Sequence, residues 1–288
     1  MKRLLKAIGI DTRRLTHAVL AFSIERAVRE QKLGDLRDRL RAIVPDLTDQ
    51  FSQGFDRREY DRFWERKLRG VHAFQVARML EAIGGIAERP ISVADIGDSS
   101  GNHAAYLRGI LPDGSLARVL SVNLDPVAVQ KIRAKGGEAV QARAEELCLA
   151  SNRFDLVVVF EMLEHLTDPT IFLRRLAEAG VAEKLLITVP FVRSSRMGLD
   201  FIRNPGDMRV SAEAVHVFEL SPGDWTLLCR FAGWEATSHA IYFQYPRRAL
   251  GRILAPLWRR LDYEGFLALS LRRDMTVSNR YLSWPTRA

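Results

Sequence analysis

The sequence predicts an α/β protein with a mainly parallel seven-stranded sheet, helices on both faces and a helical N-terminal extension. Three observations predict it. From residue 91 onward seven short apolar runs alternate with helix-like stretches, and strands separated by helices imply right-handed crossovers that leave neighbours parallel. One run, "LVVVF" at 156–160, is apolar throughout, as expected of a strand covered on both faces. The first run ends in "DIGDSSG" at 95–101, a glycine turn at the place where doubly wound sheets hold their ligands.

The elements follow in order. Residues 1–89 read as helical and strongly charged, with a break at Pro45 and a second helical stretch over "RREYDRFWERKLRGVHAFQVARMLEAIGG". Val71, Phe74, Val76, Ala77, Leu80 and Ile83 recur at spacings that put most of them on one helical face, so this stretch packs against the remainder. Phe63 and Trp64 fit either a lid over the site or core packing. Gly84, Gly85 and Pro90 mark a boundary, which divides the chain into a helical extension or lid (1–89) and a sheet domain (90–288). The expected strands are "ISVADIG", "ARVLSVNL", "EAVQAR", "FDLVVVF", "KLLITVPF", "WEATSHAIYF" and "FLALSLR". Helices are expected near 102–111, 126–135, 168–180 and 221–232.

Composition bounds the class. The 288 residues are 47% hydrophobic and 27% charged, an ordinary globular mixture with ample material for a core. Cys148 and Cys229 lie far apart without metal-ligand spacing, so neither a disulfide framework nor a metal site is expected. The basic start "MKRLLKAIG" and the apolar "AVLAFSI" lack a small-residue cleavage site, and arginines close in on the apolar stretch. No run reaches the ~20 apolar residues of a spanning helix; a cytoplasmic protein is expected. The net charge of +8 suits a polyanion or an anionic membrane surface. The basic residues are dispersed, however, and neither an N-P-P-Y-like motif nor a base-stacking aromatic face accompanies them, which argues against nucleic acid.

Taken alone, the glycine turn is ambiguous, since such turns also relieve steric strain. Its spacing is not G-x-G-x-x-G, which disfavours a dinucleotide. Its neighbours supply more. Asp95, Gly97 and Gly101 match D-x-G-x-G-x-G; Ala144, Glu145 and Leu147 match D-A-E-x-L; Phe154 and Asp155 match F-D-x-V; Glu161, Leu163, Glu164 and His165 match E-x-L-E-H. "LLITVP" and "HVFELSPGDWTLLCRFAGWE" continue the series. In this order the motifs resemble the class I S-adenosylmethionine-dependent methyltransferases, particularly their small-molecule type 11 branch, over roughly residues 70 to 275. Three positions depart from the pattern: Ser99, Asn123 and Arg143 stand where the family has a glycine, an acidic residue and an aspartate.

The resemblance implies a Rossmann-like fold with an antiparallel last strand, "GFLALSLR", and S-adenosylmethionine as cofactor. It implies that Gly97, Ser99 and Gly101 line the methionine portion, and that Asp95 orders the turn or holds the amino group. Asn123 or Asp125 would reach the ribose, Ala144 and Glu145 the adenine, and Glu161 the methyl donor. Asp98 would lie near the donor or cap a helix. His165 and His216 are the candidate bases; a turn-closing role for His165 and a backbone-bonding role for His216 stand beside that reading. The acceptor is expected to be a small or lipid-linked molecule, methylated at oxygen. Arg193, Arg196, Arg203 and Arg209, in the irregular stretch 191–216, fit either an anionic acceptor group or a solvated loop. A basic amphipathic stretch at 247–261, with Ile253, Leu254, Leu257, Trp258 and Leu261 on one stripe, suits peripheral contact with the inner face of a membrane or a packed face. Loss of transfer with retained cofactor binding, or methylation of nucleic acid, are the rival functions.

Overall fold

In the computed structural model, which describes residues 12–50, 62–84, 89–144, 153–204, 206, 209–248, 253–261 and 264–285, helices α1 (Thr12–Glu30), α2 (Gly34–Ile43) and α3 (Arg62–Gly84) precede the sheet. Strands β1 (Ile91–Ile96), β2 (Leu116–Asn123), β3 (Glu138–Gln141), β4 (Leu156–Phe160) and β5 (Lys184–Phe191) follow. Between them run α4 (Asn102–Ile110), α5 (Pro126–Ala134) and α6 (Pro169–Ala179). After β5 come the two-residue strands β6 (Arg196–Met197) and β7 (Phe218–Glu219), α7 (Pro222–Phe231), β8 (Trp234–Phe243), α8 (Ala255–Leu261) and β9 (Gly265–Arg273). Each expected strand and helix of the sheet domain is present.

The sheet order is β3-β2-β1-β4-β5-β9-β8. β1 through β5 pair in parallel, whereas β9 is antiparallel to both β5 and β8. This is the Rossmann-like arrangement with one reversed strand, "GFLALSLR". β4 sits fourth of seven, and Leu156 to Val159 are fully buried; at roughly 1.5–3 kcal/mol per apolar side chain removed from water, no other position suits so apolar a strand. β6 and β7 form a separate ribbon.

α3 lies against the sheet, and its Val71, Phe74 and Val76 share one apolar core with α1, β4, β5 and β9. Buried polar bonds tie α1 to the C-terminal strands. Ser23 Oγ donates to the Gln244 carbonyl (3.0 Å), Trp258 Nε1 donates to Ser23 Oγ (3.0 Å), and Gln31 Nε2 donates to the Phe243 carbonyl (2.8 Å). Phe63 packs between His17 and Trp258, with ring centroids 4.7 and 6.3 Å away, and is buried; half-buried Trp64 packs against it at 5.3 Å. Both residues therefore serve core packing.

In the amphipathic stretch the packed-face alternative accounts for part of the stripe. Trp258 is fully buried against α1, and Leu254 and Leu257 pack on the main core. Its indole N–H and apolar body both find partners inside the fold, so Leu254, Leu257 and Trp258 pack inward, whereas Ile253 is exposed. Among the described residues, no helix is long and apolar enough to cross a membrane.

Candidate functional site

Strand order reverses between β1 and β4, since the chain runs β1 to β2 to β3 on one side before returning through β4 and β5 on the other. Ligands of open α/β sheets bind outside the carboxyl ends of the strands at such a point. Two turns meet there. Gly97 follows β1 with φ +97°, and a Cβ built on it would stand 3.1 Å from both Cβ and Cγ of Met162. Met162 belongs to the turn after β4, where Glu161 holds φ +49°, a rare conformation for a residue with a side chain. Non-glycine strain of this kind concentrates at functional sites.

The turn after β1 is braced from below. Asp98 Oδ1 accepts from the backbone N–H of Ser100 (3.0 Å) and Gly101 (2.8 Å), and its Oδ2 accepts from Ser121 Oγ (2.7 Å). Asn123 Nδ2 donates to the Asp98 carbonyl, and its Oδ1 accepts from the Asp125 N–H. Gly101 opens α4 in the left-handed region at φ +75°. Asp125 caps α5 by accepting from the Val127 N–H at 2.9 Å. Asp95, 2% exposed, faces into the core and bonds His103 Nδ1 at 2.9 Å. Burial and the charge of Asp98 push the Asp95 carboxyl up to about 6 against the pull of His103. Burial opposes protonation of His103, but the Asp95 and Asp98 carboxylates outweigh it and raise the ring. The chain of bonds continues from His103 Nε2 to Gln75 Oε1 (3.2 Å) and from Gln75 Nε2 to Thr188 Oγ1 (3.0 Å).

Across the switch point, Leu163–His165 form one 3-10 turn. The ribbon of β6 and β7 docks on it through the Val217 N–H, which donates to the Glu164 carbonyl at 2.7 Å. Gly198 lets this ribbon close, because a Cβ there would stand 2.7 Å from the His216 carbonyl. His165 and His216 consequently meet, with ring centroids 4.7 Å apart at 83°. His165 Nδ1 lies 2.8 Å from the Ala212 carbonyl and 2.9 Å from that of Val215. Burial, then the neighbouring His216, push the His165 ring down to about 4, so it is neutral at ordinary pH. His216 Nδ1 lies 3.1 Å from Glu219 Oε1. Burial disfavours the Glu219 anion, yet His216 and Arg196 outweigh it and hold the carboxyl at about 2. Glu164 is 1% exposed; burial, aided by Glu161 and Glu219, raises its carboxyl well above the usual range.

The fold therefore brings together Gly97, Ser99 and Gly101 on one side of the switch point and Glu161, His165 and His216 on the other. Asn123 and Asp98, expected at the ribose and the donor, spend their polar atoms on the turn itself. Ala144 is half-buried against the main core, and Glu145, Leu147 and Cys148 lie outside the described residues. Three of the loop arginines are engaged: Arg193 with Glu264, Arg196 with Glu219 and Arg203 with Asp200. Arg209 is exposed.

Sequence reasoning missed four participants. Gln50 reaches the turn from the N-terminal extension: its Nε2 donates to Ser99 Oγ, and its Oε1 accepts from Ser100 Oγ (3.1 Å) and Asn102 Nδ2 (2.6 Å). Nothing in its local sequence signals that contact. His103 and Gln75 sit on helix faces with other buried polar groups, Tyr106 and His72 among them, and their sequence gives only a weak signal. Glu164 was visible within E-x-L-E-H, but its burial was not.

Residues 94–187 match the family described as Methyltransferase domain. Among solved structures, one assigned as a sarcosine dimethylglycine methyltransferase, from Galdieria sulphuraria, aligns at 13% identity over 73% of this chain and 88% of its own, with TM-score 0.52. The 4+2 cyclase SpnF aligns at 13% identity over 85% of this chain and 97% of its own, with TM-score 0.51. Magnesium protoporphyrin IX methyltransferase of Synechocystis PCC 6803, with bound S-adenosylmethionine, aligns at 12% identity over 82% and 90%, with TM-score 0.48. No curated protein matches the sequence. At these identities structural likeness bears on the fold, and a cyclase among the neighbours illustrates that a fold hosts more than one chemistry.

Proposed function

We propose that this chain, a class I S-adenosylmethionine-dependent methyltransferase of the small-molecule type, methylates a hydroxyl oxygen of a small or lipid-linked acceptor held at the carboxyl end of β4. One arrangement supports the reading: Gly97, at φ +97° against Met162, and the turn holding the strained Glu161 and leading to the His165–His216 pair follow adjacent strands where strand order reverses. A glycine cradle lets backbone N–H groups approach a ligand closely, which suits the amino-acid portion of S-adenosylmethionine. When bound, that cofactor supplies an electrophilic methyl group.

In this reading the backbone of Gly97 to Gly101 holds the cofactor's methionine portion, while Asp125, Ala144 and Glu145 border its nucleoside. Asp95, Asp98 and Asn123 keep the turn in shape. Glu161 places negative charge beside the sulfonium. His165, kept neutral by burial and oriented through Nδ1, accepts the acceptor's hydroxyl at Nε2, with His216 beside it. Alignment of donor and acceptor supplies most of the rate in such a displacement, and proton removal adds a smaller factor. The helical extension, 1–89, contributes a cover through Gln50.

A second reading, cofactor binding without transfer, draws on Gln50 lying across Ser99, Ser100 and Asn102. Calorimetric titration with S-adenosylhomocysteine, followed by incubation with methyl-labelled S-adenosylmethionine and a panel of hydroxylated small molecules, separates the two. Micromolar binding plus label on an acceptor oxygen is expected. Binding with no label on any acceptor would favour the second reading, and a silent titration would overturn both.

A further inference from the structure

We infer that Glu164, His165 and His216 form a binding site for one divalent first-row transition-metal ion at the carboxyl end of β4. One ligand atom from each residue lies within 4.8 Å of the other two, and His165 Nε2 is 3.9 Å from Glu164 Oε1. Ligands about 2.0 Å from a tetrahedral ion stand about 3.3 Å apart, so the three ligand atoms need to close by at most about 1.5 Å to meet one ion. Proximity alone would prove little; two further features point to a ligand.

The first is the state of Glu164. It is 1% exposed, and neither of its carboxylate oxygens accepts a hydrogen bond from another described residue. Buried polar atoms nearly always have partners, and a buried charge is paired or coordinates a metal. Glu161 and Glu219 lie close enough to add negative charge at this carboxyl, and Arg196 is already engaged with Glu219. The pocket therefore lacks a positive partner for Glu164 among the described residues.

The second is how the rings are held. His165 Nδ1 faces two backbone carbonyls, those of Ala212 and Val215. His216 Nδ1 faces the Glu219 carboxylate. Metal-ligating histidines characteristically donate the other ring N–H to a carbonyl or carboxylate, which fixes the tautomer and aims the remaining nitrogen. Both outer partners occur here, on two different segments. The cluster of Asp95, Asp98 and His103 gives a useful contrast. It is equally tight, but its groups are spent on each other, on Gln75, on Ser121 and on two backbone N–H groups. That cluster is structural.

Two imidazoles and one carboxylate suit Zn²⁺, Fe²⁺, Co²⁺ or Mn²⁺ better than Mg²⁺, which prefers oxygen ligands. The ion's function rests on the methyltransferase reading above, whereas its binding does not. Coordinated there, an acceptor hydroxyl would lose its proton to solvent more readily, and acceptors with a second oxygen in chelating position would be preferred. With the ion bound, His165 Nε2 serves as a ligand and solvent takes the proton; in the metal-free protein Nε2 remains the proton acceptor proposed above.

The test uses the full chain, stripped with EDTA and titrated with Co²⁺ while visible absorption is followed. One equivalent of Co²⁺ should bind with micromolar or tighter affinity and be displaced by Zn²⁺, and millimolar Mg²⁺ should not displace it. Glu164→Gln and His216→Asn should each weaken binding at least tenfold. Glu219→Gln, which removes only the outer partner, should weaken it about 10–100-fold. S-adenosylhomocysteine titration on the same samples shows which variants remain folded. Absence of stoichiometric binding in the wild-type chain, or unchanged affinity in a folded Glu164→Gln variant, would overturn the site. Metal binding with a silent S-adenosylhomocysteine titration would instead sink the methyltransferase reading and leave the site standing.

Discussion

Replacing Gly97 with alanine tests whether the turn after β1 acts through close backbone approach. Two costs combine. A side chain at φ +97° is strained by roughly 1–3 kcal/mol. The new Cβ would stand 3.1 Å from Cβ and Cγ of Met162, an overpacking that adds about 1 kcal/mol at the low end of its range. The total of about 2–4 kcal/mol must appear somewhere. If the turn keeps its shape, the melting temperature falls by about 3–7 °C; if it relaxes, affinity for S-adenosylhomocysteine falls about 30–1000-fold. Gly101→Ala gives an internal scale. Its φ of +75° is unfavourable, but its Cβ would meet Ile132 at an ordinary 3.5 Å, so only about 1–2 kcal/mol is expected. Gly84→Ala, at a helical position with nothing within 4 Å, should change stability by less than about 0.5 kcal/mol. Calorimetric titration and thermal melts of the three variants read both quantities. Should Gly97→Ala match Gly84→Ala in melting temperature and in affinity, the reasoning about this turn is wrong.

Glu264 accepts from Arg193 Nε (2.7 Å), Tyr245 Oη (2.5 Å) and Arg259 Nε (3.0 Å), and although burial opposes its ionisation, these donors hold the carboxyl at about 2. A depressed carboxyl stabilises the fold above its unfolded pKa near 4.5 and loses that contribution as pH falls toward about 2; Glu264→Gln should therefore cost about 2 kcal/mol at pH 7, discounted for two half-exposed arginines, and the gap to wild type in denaturant unfolding should narrow between pH 5 and 3. A gap that stays constant over that range would refute the charge argument. Trp258→Ala should cost about 3–5 kcal/mol, because the indole is fully buried and bonded to Ser23; a loss below 1 kcal/mol in the same assay would show that the indole points outward.

The strands were legible because each satisfies a local rule. "LVVVF" is a short β-branched apolar run, as expected of a strand covered on both faces, and the glycine at 97 announces a turn wherever the chain goes next. Even α5 and α6 carried their own start signals, with Asp125-Pro126 and Asp168-Pro169 capping and opening them. What local rules do not carry is the partner. Of the stripe at 253–261, Leu254, Leu257 and Trp258 pack inward while Ile253 is exposed, and an apolar stripe is the same pattern whether it meets a bilayer or α1. Asn123 and Asp98 were expected at a ligand, yet both bond the turn itself; residue type does not reveal whether an amide turns to a ligand or to the backbone beneath it. Gln50 lies 49 residues from Ser99, so its contact depends on how the extension is laid over the sheet. His165 and His216 were flagged separately, and their meeting depends on the ribbon of β6 and β7, two strands of two residues each that no periodicity signals.

Adjacent strands thus end in two polar clusters that behave oppositely, and the difference follows from backbone direction. β1 runs straight into its turn, so Asp95, still in the strand, is buried and is met by His103 of α4; Gln75 and Thr188 extend that chain to α3 and β5. Four elements are thereby fixed to one another beneath the glycine turn, and a fully partnered buried network of this kind rigidifies the region around it. β4 instead leaves its plane at once, because Glu161 adopts φ +49°. That kink swings Glu164 and His165 over the end of the strand, where the ribbon brings His216 and Glu219 but no hydrogen-bond donor for the Glu164 carboxylate from the described residues. A rigid floor beside an incompletely partnered wall is the division of labour a transfer site requires: the floor fixes where a donor sits, and the wall keeps polar atoms in reserve for what must be bound and activated next to it.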